Sequence, residues 1–203
     1  MGMEVPDTNN RAPETIMHLL SSCTVYAVSA YIHRDNAALR LLYYHLRHSY
    51  GIDGTPVLPY APGDIESVVE NEKCRIYWNF SFPTLRQIQA NKPDVVLLDH
   101  QTKAMFGIEF SAPVEPNTVL KEEDKRTKYR DLLFGLRRLY PDHSVELVIL
   151  IIGSLGGTRH TLLSEILKIP ACSDKAHILA GGMQKAVILG SLRLLRAHGS
   201  WSQ

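Results

Sequence analysis

Cysteine is scarce. Cys23, Cys74 and Cys172 are the only three in 203 residues. An odd thiol count in a chain of this size excludes a disulfide-stapled scaffold and points to a reducing compartment. Long apolar runs are missing too. The longest, residues 145–152, falls short of a membrane span and contains Glu146. Net charge is nearly absent: 22 Lys and Arg against 21 Asp and Glu leave +1. The whole molecule is therefore no strong polyanion binder, and a nucleic-acid role needs a local basic surface. The chain has neither a P-loop lysine motif nor a helix-opening GxGxxG, and no nucleophile elbow. What is there is ordinary globular usage, 45% hydrophobic and 21% charged. That suffices for a buried core and one domain.

The polar, Pro-containing residues 1–13 read as a disordered leader, neither a signal nor a transit peptide. A helical pattern starts at Glu14, with Ile16, Leu19, Leu20 and Cys23 on one buried face. A second helix is expected over 36–50, capped by Asn36 and stopped by Gly51. Residues 14–50 then form a helical hairpin, and the Gly- and Pro-rich stretch 51–64 is a loop or linker. Strands are expected at 75–80, 95–98 and 104–110, with a polar connection of hairpin length between the last two. One long helix over 119–140 carries the stripe Tyr129, Leu132, Leu133, Leu136, Leu139 and Tyr140, and Pro141 ends it. Residues 145–152 read as a central strand, followed by helices near 161–168 and 176–197. The first three strands can form an antiparallel meander, and the fourth follows a helix, so it can lie parallel to one of them. The fold class is α/β, a mixed sheet flanked by helices, with its α/β domain over 65–198.

Chemistry concentrates at Asp94, Glu109 and Lys125. If the second and third strands pair as a hairpin, the start of one lies opposite the end of the other. Both carboxylates then sit at one end of the sheet. Two acidic side chains there suit a hard cation such as Mg²⁺ or Mn²⁺, which keeps several waters. Lys125 continues the apolar stripe of the long helix, and its stem can lie along that surface while the ammonium reaches the carboxylates. Beside a metal-bound water, an ammonium offsets charge building on a phosphoryl group.

Pro93-Asp94, then Glu109, then a Lys-rich helix resembles the PD-(D/E)xK nuclease pattern. More specifically, the chain from about residue 14 to 198 is similar to the restriction-like endonuclease domain found C-terminal to the reverse transcriptase of non-LTR (LINE-type) retrotransposons. The matching motifs are Pro93-Asp94, Glu109, Pro113, Lys121-Glu122, Lys125, Lys128-Tyr129, Gly153-Ser154-Leu155-Gly156, Gln184-Lys185 and Leu189-Gly190. The resemblance implies a PD-(D/E)xK restriction-endonuclease-like fold and a metal-dependent DNA endonuclease acting in the nucleus. DNA is the implied partner, with retroelement RNA a further one, and no membrane. It also implies Asp94 and Glu109 as metal ligands and Lys125 as the catalytic lysine. Lys128 and Tyr129 stand close to the site, and the division of roles between the two lysines stays open. A catalytically inactive nucleic-acid-binding or structural remnant of the same domain is the alternative.

The sequence departs from the pattern in places. Two residues after Glu109, where the common pattern has its lysine, stands Ser111. Of the family's Cys-Cys-His-Cys zinc knuckle only His18 and Cys23 remain, so no zinc is expected. Where the family has Arg-His-Asn or Arg-His-Asp, this chain has Arg34-Asp35-Asn36. The basic residues Lys121, Lys125, Arg126, Lys128, Arg130, Arg137 and Arg138 either meet phosphates or form a solvated face; the sequence leaves both open.

Overall fold

A computed structural model of the chain describes residues 15–21, 23, 29–52, 65–83, 88 and 90–199. The leader and most of the 51–64 stretch lie outside the described residues. The elements are α1 (Ile16–Ser21), α2 (Ala30–Ser49), β1 (Val68–Glu70), β2 (Cys74–Trp78), β3 (Val95–Asp99) and β4 (Ala104–Ser111). These are followed by α3 (Thr118–Lys128), α4 (Arg130–Leu139), β5 (Ser144–Ile151), α5 (Thr161–Leu167) and α6 (Ala176–Gly199). Short 3₁₀ turns at Glu115–Asn117 and Pro170–Lys175 lead into α3 and α6.

The sheet has five strands in the order β1-β2-β3-β4-β5. β1 to β4 form an antiparallel meander, and β5 lies parallel to β4, as a crossover through α3 and α4 allows. The meander turns on side chains that fold back on their own backbone. Asn71 Oδ1 accepts the N–H groups of Lys73 and Cys74, and Asp99 Oδ1 accepts those of Gln101 and Thr102. Asp99 Oδ2 also accepts the Tyr50 hydroxyl at 2.8 Å, which ties α2 to this turn.

Both faces of the sheet are covered. On one, Ile76, Leu97, Phe106, Ile108, Val148 and Leu150 pack against Leu39, Leu42, Tyr43 and Leu46 of α2, Ile166 of α5 and Met183 and Val187 of α6. On the other, Tyr77, Val96, Met105, Leu147 and Ile149 pack against Tyr129, Leu132 and Leu136. The alternation of β4 therefore sends Glu109 toward the α3–α4 face.

The structure corrects several sequence expectations. α2 starts at Ala30, so Asn36 is a helix-interior residue and not its cap. α1 ends at Ser21. Cys23 lies beyond it, buried, and Ile16 is 57% exposed. The expected 119–140 helix is two helices that meet at Tyr129, and Leu139 is exposed. β5 is an edge strand, not a central one. It reads as central because α3, α4 and α5 cover it and the Glu165 carboxylate accepts its Ile149 N–H. β1 carries too short a pattern to be seen in the sequence. The stretch Pro170–Ala197 is long and apolar enough to cross a membrane by length and composition. Leu179, Met183, Ala186 and Val187 of α6 nevertheless lie in the core.

Candidate functional site

Asp94 precedes β3 and Glu109 lies near the end of β4. The register pairs Val95 with Ile108, which brings the two acids side by side. They are locked reciprocally. The Asp94 N–H donates to Glu109 Oε1 at 3.0 Å, and the Phe110 N–H donates to Asp94 Oδ2 at 2.8 Å. Lys125 comes from the last turn of α3, and its Nζ donates to Glu109 Oε2 at 2.6 Å. The three residues predicted from spacing thus meet at one point. Glu109 is 1% exposed and Lys125 9%.

Burial, first, and the neighbouring Asp94 charge push the Glu109 carboxyl above the usual range, while the Lys125 ammonium opposes the rise. For Lys125, burial works against the charged form, but Glu109 and Asp94 outweigh it and hold the ammonium. Tyr129, where α3 gives way to α4, is buried. Its hydroxyl donates to the Lys92 carbonyl at 3.1 Å, and burial followed by the Glu109 charge raises the phenol above its ordinary value. Lys128 is exposed, with its ammonium 5.0 Å from the centre of the Tyr129 ring. Of the two lysines, Lys125 is therefore the one at the carboxylates.

These groups line a cleft of about 400 Å³. Its wall also carries Asp35 and Asn36 of α2, from the Arg34-Asp35-Asn36 stretch noted in the sequence, together with Asn79 after β2 and Lys92, which sequence reasoning did not pick out. Burial raises the Asp35 carboxyl, Arg34 opposes that, and the Asp94 charge adds to it, so a third acid feels the pair. Ser111 also lines the cleft. Arg34 itself is structural. It is 4% exposed and donates to Asp35 Oδ1, the Leu20 carbonyl and the Ala112 carbonyl. That guanidinium ties α1, α2 and the end of β4 together behind the site.

The glycine motifs also prove to be supports. Glu115 Oε1 accepts the Leu155 N–H at 2.7 Å and, at 3.4 Å, that of Gly157. A Cβ on Gly153 would stand 2.6 Å from this carboxylate. Gln184 Nε2 donates to the Gly156 carbonyl, and a Cβ on Gly190 would stand 2.6 Å from Arg34 Cγ. The loop thus anchors the start of α3, and α3 delivers Lys125. Two cations of α3 pair within the helix, Lys121 with Asp124 and Arg126 with Glu122, and Arg126 also meets Glu165 of α5. His18 is exposed on α1 while Cys23 is buried beyond it, its N–H donating to the His18 carbonyl.

The donor set suits a small hard cation. Asp94 Oδ1 accepts no hydrogen bond among the described residues, and each Glu109 oxygen keeps a second lone pair. Two carboxylates with room for water match Mg²⁺. Among the described residues no group of three His, Cys, Asp or Glu side chains is placed to cage an ion. Neither a family model nor a curated protein matches this chain.

Proposed function

We propose that this chain is a metal-dependent DNA endonuclease domain with a PD-(D/E)xK-type fold, of the kind associated with non-LTR retrotransposon reverse transcriptases. The observation that carries the reading is the convergence of Asp94, Glu109 and Lys125 at one end of the sheet, facing a cleft. The order meander, helix, parallel strand supports it as well.

Asp94 and Glu109 would hold Mg²⁺ or Mn²⁺. Bound there, the ion would supply Lewis-acid activation of water and of a phosphoryl oxygen. Lys125 fixes the rotamer of Glu109 and presents a positive charge where phosphorane charge develops. The alternative is a nucleic-acid-binding remnant without turnover. The tight Lys125–Glu109 pair favours it, since that ammonium already satisfies one carboxylate oxygen.

Plasmid nicking in Mg²⁺ or Mn²⁺, beside Asp94→Asn and Lys125→Ala, decides between them. We expect nicking by the wild type and a loss of at least about a hundredfold in each variant, the scale of removing one charge-stabilising group. A folded wild type that binds DNA and never nicks would establish the remnant.

A further inference from the structure

The uncommitted hydrogen-bond donors near the site gather on the cleft wall. Lys92 and Lys128 line it, and neither has a carboxylate partner among the described residues. This contrasts with Lys121, Arg126 and Arg159, all of which are paired. Asn79 lines the same space, half-buried, and its carboxamide has no hydrogen-bond partner among the described residues. Its backbone is left-handed, with φ +48°, and its N–H donates to the Asp94 carbonyl at 2.8 Å.

Glycine meets that backbone requirement without steric cost, and asparagine is among the other residues that adopt it most readily. The tie to Asp94 uses the main chain and needs no side chain. The turn therefore favours asparagine, but neither the turn nor the tie uses its carboxamide, which stays free on the cleft wall to meet a ligand. A neutral amide beside Asp94 can donate to a phosphate oxygen without closing the cleft through an ion pair, which a lysine would form, and without the repulsion of a further carboxylate.

We propose that Asn79 is a substrate-contacting residue. Its carboxamide N–H donates to a non-bridging oxygen of the nucleic-acid phosphodiester chain, alongside Lys92 and Lys128, and seats the strand against Asp94 and Glu109. This rests on the nuclease reading above.

The test is Asn79→Gly, which removes the amide and suits the backbone. We expect its melting temperature to stay within about 3 °C of wild type or to rise, because relief of the left-handed strain offsets the added unfolded-state freedom. Affinity for a labelled DNA oligonucleotide in metal-free buffer falls at least about tenfold, as for a lost hydrogen bond to a charged group. The nicking KM rises by a similar factor while kcat changes less. Asn79→Asp, nearly isosteric and tolerant of the same φ, weakens binding further through repulsion of phosphate. If wild type nicks and both variants bind and nick equally well, the Asn79 assignment is wrong and the nuclease reading survives. If folded wild type neither binds nor nicks DNA, the nuclease reading fails and this inference falls with it.

Discussion

Glu109 and Lys125 show how one pair serves stability and chemistry at once. The carboxylate is almost fully buried, and its charge is tolerable because the ammonium stands 2.6 Å away. Lys125→Met leaves that charge unpaired, so we expect a loss of about 3 kcal/mol in urea unfolding. Adding Glu109→Gln removes the stranded charge and recovers a good part of the loss. A single variant as stable as wild type would show that the pair contributes nothing to folding. At this scale Asp94, Glu109 and Lys125 were legible in the sequence, since they sit on consecutive elements whose pairing is easy to foresee. Asn79 was not, and Asp35 stood out only as part of the Arg34-Asp35-Asn36 departure from the family pattern, with nothing to place it beside the other acids. They come from the turn after β2 and from α2, and no spacing rule links those segments to the β3–β4 hairpin.

The turns and crossings of the elements carry their own test positions. Asp99 binds two turn amides and the Tyr50 hydroxyl. Burial alone would raise its carboxyl, but the Thr102 amide and the Tyr50 hydroxyl outweigh that and hold it below the ordinary aspartate value. A depressed pKa contributes stability at neutral pH that is lost as pH falls through the folded-state value. Asp99→Ala should therefore cost about 2 kcal/mol at pH 7 and progressively less in acid, as read by urea unfolding across pH. Gly156 has φ +93°, and a Cβ there would stand 2.6 Å from Ile188 Cδ1. Gly156→Ala should cost about 2 kcal/mol through both effects, measurable by thermal unfolding. The break at Tyr129 escaped the sequence because neither Pro nor Gly stands beside residue 129 to mark it, Gly135 lying further on inside α4. It forms where the buried Tyr129 hydroxyl reaches the Lys92 carbonyl.

Across the whole molecule, two packed faces bury thiols and phenols that titrate in alkali. Burial pushes Cys74 and Cys172 from about 9 up to about 12, and it raises Tyr43, Tyr50 and Tyr129 above the phenol range. The folded chain then binds more protons than the unfolded chain above pH 9. Stability present below that pH is lost as pH rises toward 12. Urea midpoints should be flat from pH 7 to 9 and fall steeply beyond it. At pH 8, alkylation of Cys74 and Cys172 should be slow until urea is added.

By itself the sequence determined the α/β class and the acid–acid–lysine order, and it allowed a meander of β2 to β4 with a parallel strand after it. These follow from local periodicity, turn chemistry and the short reach between neighbouring elements. Tertiary structure alone decided that β5 is an edge strand under helical cover, that Arg34 and Glu115 are braces, and that α2 contributes a third acid to the cleft. Those facts depend on which distant segments share a surface, and a one-dimensional pattern does not encode that.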